Sequence, residues 1–295
     1  MMTLMEKALA LRALQQRVRQ GGSAFVIGNA WDRGSARLMA AAGFEALATS
    51  SHGFAHSMGV PAGTTGPETV LANAADIAAV TDLPVSADLE RGLGDTPESA
   101  AETVRRAIAA GLAGASLEDA VPGSVTPIYD IGLAAEKIRA AAEAVRAQPV
   151  PFQLVARAEN FLHGRPDLAD TIRRLQAYQE AGADVLYAPG LKTRDEIRAV
   201  VSSVDRPVNV VMGLAGWDLT VADLTALGVA RISTGSAPAR LAYGLVVAAA
   251  REMLDEGRFT FAGKAMKVAP IEAMLVAAGA PAAGAAAGAS VAAGA

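Results

Sequence analysis

The chain has 295 residues, 52% of them hydrophobic and 4% aromatic, which is enough to bury the core of one large domain and excludes a wholly disordered chain. Its 26 basic and 30 acidic residues leave a net charge of −4, which argues against a nucleic-acid binder. It has no cysteine, so disulfides, thiolate metal sites and thiol nucleophiles are excluded, and a reducing, cytoplasmic setting is the expectation.

The first 20 residues carry charges throughout and do not read as a secretory signal. No bulky uncharged run reaches the length of about 20 residues needed to cross a bilayer. Eight short apolar runs then follow: Ala24–Gly28, Glu45–Thr49, Pro84–Asp88, Gly114–Glu118, Phe152–Arg157, Asp184–Ala188, Pro207–Val211 and Val229–Thr234. Between them lie Ala-rich stretches with helical apolar spacing, such as Glu98–Ala110 and Leu168–Ala181. Four of these stretches end on a glycine just before the next strand, at Gly43, Gly111, Gly182 and Gly228, the punctuation of a left-handed helix stop. Eight βα units in this rhythm predict an α/β fold, a (β/α)8 TIM-type barrel, over residues 1–276 with an N-terminal helix and C-terminal helices. Residues 277–295 are almost entirely Ala and Gly and read as a flexible tail.

In such a barrel the chemistry sits at the C-terminal ends of the strands. Polar residues gather there: Asn29, Ser50, Ser51, Asp88, Glu90, Glu118, Asp119, Arg157, Glu159, Asn160 and Ser233 to Ser236. Three carboxylates at neighbouring strand ends, Asp88, Glu90 and Glu118, suggest an oxygen-ligand site for Mg2+ or Mn2+. Taken one at a time, each would also serve as a solvated loop charge or a helix cap. His52 is placed to line the mouth. Trp31 reads equally as a wall of the site or a core plug. Tyr129 and Asp130 read either as a closure over the substrate or as a helix cap. Arg91 reads as a carboxylate binder or as a partner of Asp95.

Several motifs in order resemble the isocitrate lyase/phosphoenolpyruvate mutase superfamily, in particular its phosphoenolpyruvate mutase-like branch. They are Asn29–Gly63, the SADLERGLGD run at Ser86–Asp95, GASLEDA at Gly114–Ala120, VARAENF at Val155–Phe161 and the ending Val229–Gly244. The resemblance implies a (β/α)8 barrel whose last helix is exchanged between subunits of a homotetramer or homodimer. It also implies Mg2+ and small 2-oxo or 2-hydroxy acids as substrates. The family's D-x-D-x-G-x-G metal loop matches Asp88 to Gly94, with Glu90 in place of the second acid. On this pattern Asp88 ligates the metal, Glu90 reaches it through water and Glu118 is the next metal-associated carboxylate. Arg157 grips the substrate's anionic group. Ser50 and the backbone amides near Ser51 and His52 hold its carboxylate, and Trp31, Asn160 and Ser236 complete the substrate-binding set.

Two departures bear on the chemistry. The lyase branch carries a K-K-C-G-H loop, whereas here Glu118 is followed by Asp119-Ala120-Val121-Pro122-Gly123-Ser124, without Cys, Lys or His. The phosphonate-processing branches carry an Asp where Ala62 stands. What survives favours C–C cleavage or decarboxylation of an oxaloacetate-like acid through a metal-stabilised enolate. Arg157, Glu118, Glu159 and Ser50 are the candidate catalytic residues, since decarboxylation needs no general base to begin and a retro-aldol step would need one. The alternatives are phosphonopyruvate-type C–P chemistry and ligand binding without turnover.

Overall fold

The computed structural model describes residues 2–121, 123, 127–214 and 218–279. The expected tail beyond residue 279, and Pro122 and Ser124 of the loop after Glu118, lie outside the described residues.

The strands are β1 (Phe25–Val26), β2 (Gly28–Ala30), β3 (Leu47–Thr49), β4 (Val85–Asp88), β5 (Gly114–Glu118), β6 (Gln153–Arg157), β7 (Val185–Tyr187), β8 (Val208–Val211) and β9 (Arg231–Ser233). All pairings among them are parallel, in the order β1-β9-β8-β7-β6-β5-β4-β3-β2. The first predicted strand, Ala24–Gly28, is corrected to two short pieces with different partners. β1 pairs with β9 and β2 with β3. The Ile27 amide between them donates to Ile232 O at 2.9 Å, whereas the next amide, Gly28, donates to Ala46 O at 3.2 Å. One stave therefore hands over from the last strand to its next neighbour, and this closes the cylinder into an α/β TIM-like barrel of parallel strands.

The helices α1 (Leu4–Gln16), α2 (Arg33–Ala41), α3 (Ser51–Ser57), α4 (Pro67–Ala79), α5 (Pro97–Ala109), α6 (Ile131–Arg146), α7 (Leu168–Ala181), α8 (Arg194–Ser202), α9 (Val221–Ala226), α10 (Ala237–Asp255) and α11 (Val268–Ala277) surround it. Their starts are written locally. Thr96 caps α5, with Pro97 next, and Asp167 caps α7 by accepting from Asp170 N. α7 stops at Gly182 with φ +110°, where a Cβ would lie 2.9 Å from that of Ala142 on α6. A side chain there meets both backbone strain and a clash.

Ala8 and Leu11 of α1 pack on Phe25, Ile27, Ala46 and Ala113 at the N-terminal ends of the strands. That end is plugged with apolar side chains, which leaves the C-terminal end for polar groups. α11 packs against α2 of the same chain. α10 buries only Ala239 and leaves Leu241, Leu245, Val246 and Leu254 exposed, the last at 85%.

Candidate functional site

Alternation along β4, β5 and β6 turns their last side chains, Asp88, Glu118 and Arg157, toward one another. Arg157 is the centre of the group. Its Nη1 lies 2.8 Å from Asp88 Oδ1 and 3.1 Å from Glu118 Oε2, and its Nη2 lies 2.6 Å from Glu159 Oε1. Its guanidinium carbon stands 5.1 Å from the centre of the Tyr187 ring, so one face of the cation rests on an aromatic. Asp88 is held from the other side. Its amide donates to Thr49 Oγ1 at 2.8 Å, and Ser51 Oγ donates to its Oδ2 at 2.9 Å.

Glu90 has φ +51°, a left-handed conformation that a non-glycine residue adopts at a cost. The Glu118 amide donates to Glu90 O at 2.9 Å and pins the turn in place. Gly92 follows with φ +81°, and a Cβ there would lie 2.7 Å from Thr103 Oγ1 on α5. The Thr103 hydroxyl in turn accepts from the Leu93 amide at 2.9 Å. The loop is thereby tied to its own following helix.

The electrostatics are those of crowded like charges under one cation. Burial penalises the Asp88 anion, but Arg157 and the Ser51 hydrogen bonds outweigh it and hold the carboxyl below its ordinary range. Burial raises Glu90, and Asp88 adds to it. Glu118 is pushed well up by burial, against the pull of Arg157, with Glu159, Asp88 and Glu90 all contributing. Glu159 is also raised by burial, despite its bonds to Arg157. Among the described residues no three His, Asp or Glu side chains converge closely enough to ligate a metal by themselves. The three candidate metal carboxylates share one electrostatic neighbourhood without forming a closed cage.

Beside this cluster opens a cavity of about 320 Å³. Of the predicted residues, Ser50, His52, Asp88, Arg157 and Ser236 line it. Ser50 Oγ also caps α3 by accepting from the Gly53 amide at 3.1 Å. Glu118 and Glu159 stand behind Arg157 rather than on the wall. Trp31, Ser51, Glu90 and Asn160 do not line the cavity. Trp31 is half-buried against Gly53. Asn160 is fully buried, with its Nδ2 donating to Thr171 Oγ1 at 2.6 Å. Tyr129 is buried with its hydroxyl donating to Asp95, and Asp130 caps α6. Arg91 pairs with Asp95 at 2.7 Å.

Four contributors were not singled out from the sequence: Arg231, Tyr187, Thr49 and Arg174. Arg231 lines the cavity from β9. Its signal was a lone cation in an otherwise apolar strand, two residues from Ser233 and hence on the same inward face. Arg174 works from behind. It bonds Asp119 Oδ2 at 2.9 Å, while Asp119 Oδ1 accepts the Glu159 amide at 2.8 Å. The segment carrying Glu159 is thus anchored to α7.

A family profile described as phosphoenolpyruvate phosphomutase matches residues 13–254. A crystal structure from Burkholderia cenocepacia, assigned provisionally as a lyase/mutase, is 51% identical with a TM-score of 0.89, covering 95% of this chain and 98% of that one. An uncharacterized Mycobacterium tuberculosis protein is 36% identical over 237 residues, 79% of this chain and 86% of its own length. A phosphonopyruvate hydrolase structure with oxalate and Mg2+ is 29% identical with a TM-score of 0.79, covering 94% of this chain and 96% of that one. The chain belongs to the phosphoenolpyruvate mutase/isocitrate lyase superfamily.

Proposed function

We propose that this protein is a lyase, dependent on Mg2+ or Mn2+, that breaks a carbon–carbon bond in a small 2-oxo or 2-hydroxy carboxylic acid of the oxaloacetate type, by cleavage or decarboxylation. The observation that carries this reading is the packing of three carboxylates, Asp88, Glu118 and Glu159, around the Arg157 guanidinium at the edge of a small cavity, with Glu90 close enough to be raised by Asp88. The donor set fits a hard divalent ion that keeps water and substrate oxygens in most of its positions. Asp88 would hold it directly, with Glu90 and Glu118 reaching it through water, and the upward shifts of those two acids mark negative charge that such an ion relieves. When bound, the ion supplies Lewis acidity that draws electrons away from the bond to be broken.

The chain's own residues do the rest. Arg157 offers its cation to the substrate's anionic group, with Glu159 and the Tyr187 ring fixing its plane. Ser50 and the His52 amide form the carboxylate cradle at the start of α3, while the Ser51 amide donates to Asp88 Oδ2 at 3.4 Å. Glu118 and Glu159 hold the Arg157 guanidinium from behind, and the carbon left by departing CO2 takes its proton from water in the cavity. Ala62 sits in a turn outside the cavity wall and offers no acid or base, which favours a step that needs no base to start.

The test is oxaloacetate with Mg2+ or Mn2+, following pyruvate release. Turnover above the metal-only background is expected, and its absence with every metal tried removes the decarboxylase reading. The similarity to a phosphonopyruvate hydrolase supports C–P chemistry as the second reading, and 31P NMR on phosphonopyruvate separates it. Oxalate binding without turnover of either substrate would leave a ligand-binding member of the family. We also propose that a second copy of the chain covers the exposed apolar face of α10, by helix exchange in a homodimer or homotetramer. Sedimentation as a monomer at micromolar concentration would overturn that.

A further inference from the structure

Among the described residues, Arg231 stands apart from the other two arginines of the barrel interior, Arg157 and Arg174. Arg157 meets three carboxylates and Arg174 meets two. Arg231 is 5% exposed and meets none among the described residues. Its Nη1 donates to Ser86 Oγ at 3.2 Å, and its Nε is buried with no partner. Ser86 lies two residues before Asp88 on the same face of β4, so the guanidinium reaches across the cylinder one layer beneath the acidic cluster. Both Arg231 and Ser86 line the same cavity as Arg157, together with Ser233, Ser236 and Arg240.

A buried guanidinium without a counter-charge is costly to maintain. Neighbouring Asn209, on β8 opposite Arg231, has its Oδ1 buried without a partner as well. A bridging water can satisfy both orphaned atoms, but it leaves the charge uncompensated. The surrounding groups compensate it only in part: burial lowers Arg231 to about 10, with Tyr187 and Asp88 opposing the shift and Arg157 adding to it. What the position lacks is an anion supplied from the cavity.

We propose that Arg231 and Ser86 form a second anion subsite on the floor of the cavity, which takes the distal carboxylate of a two-anion acid while the first carboxylate lies at the Arg157 side. This rests on the 2-oxo/2-hydroxy acid reading above and narrows its substrate class to diacids. Arg231 is then a specificity-determining residue. It grips the group that distinguishes a four-carbon diacid from a monoacid of similar size.

The experiment is calorimetric titration of the full chain with Mg2+ present, using malate, 2-hydroxybutyrate and oxalate. Malate should bind the unaltered protein at least tenfold more tightly than 2-hydroxybutyrate. Arg231→Met should remove that preference while oxalate, too short to reach the floor, stays within about twofold. Arg231→Lys keeps the charge without the two-pronged donor and should lose part of the preference, which decides the matter if the Met variant fails to fold. An unchanged malate preference in a folded Arg231 variant overturns the subsite and leaves the lyase reading standing, as does an unaltered protein that binds oxalate but shows no preference for malate. Arg231-dependent malate binding without any Mg2+-dependent oxalate binding supports the subsite and removes the metal reading. If the unaltered protein binds neither, both fall.

Discussion

The two halves of the barrel mouth solve opposite problems. On the β4–β6 side, negative charge is in excess. Asp88, Glu118 and Glu159 all lean on Arg157, and Glu90 sits close enough to be raised by Asp88. On the β8–β9 side the groups are neutral or positive: Asn209, Ser233, Ser236, Arg231 and Arg240, with Arg231 lacking any carboxylate partner among the described residues. A site with both halves acidic would collect cations, and one with both halves basic would collect any phosphate. The asymmetry gives a bound acid a direction, with the metal-facing end on one side and an anion-binding wall on the other.

The most severe way to break the comparison is to remove the cation on which the acidic half is built. Arg157→Met leaves three carboxylates facing each other without their partner. Removing one member of a buried ionic group costs about 3–5 kcal/mol, so urea denaturation should show a loss of that order together with complete loss of ligand binding. A loss below about 1 kcal/mol would mean that the carboxylates rearrange freely to water. Asp88→Ala is the sharper cut because it removes a negative charge instead of a positive one. Ser51 loses an acceptor, the backbone amide that donates to Thr49 Oγ1 remains, and Glu90 and Glu118 lose a repelling neighbour. The fold should therefore survive with a small change in melting temperature, while Mg2+-dependent oxalate affinity falls at least a hundredfold. Oxalate binding that persists in this variant would show that Asp88 does not hold the metal.

The acidic half of this asymmetry is legible in the sequence. Helix stops at Gly43, Gly111, Gly182 and Gly228, each with φ between +82° and +110°, follow from local chemistry and placed the strands, since only glycine takes that turn without strain. α7 spans Leu168–Ala181 as its apolar spacing predicts. The acidic strand ends stood out because charge at the end of an apolar run is conspicuous. The break of the first stave at Ile27 was hidden, because it depends on which strand is the spatial neighbour and not on Ala24–Gly28 itself. Arg231 was hidden for a related reason: its meaning lies in having no carboxylate nearby, a property of the closed barrel that no linear spacing encodes. Asn160 illustrates the converse. It sits in a motif beside Arg157 and Glu159, but its side chain serves the loop before α7 and does not line the cavity.

The smallest effect concerns what holds the acidic half in register. Lys137 of α6 is buried, and its Nζ donates to Arg91 O at 3.1 Å and to Gly94 O at 2.9 Å, lying 4.4 Å from the centre of the Tyr129 ring. It clamps the loop that carries Glu90, and burial lowers its pKa to about 8, with the Asp95 carboxylate opposing the shift. Between about pH 8 and the ordinary lysine value near 10.4 the unfolded chain holds a proton that the folded chain has released. Stability contributed through this group therefore rises with pH across that window. Compared with Lys137→Met, the unaltered protein should gain about 1 kcal/mol in unfolding free energy between pH 7.5 and 9.5, the full linkage being larger and reduced here by screening and relaxation. A parallel pH dependence in the two proteins would mean that Lys137 titrates as an exposed lysine and that the loop under the acidic half is held by its neighbours Gly92 and Thr103 alone.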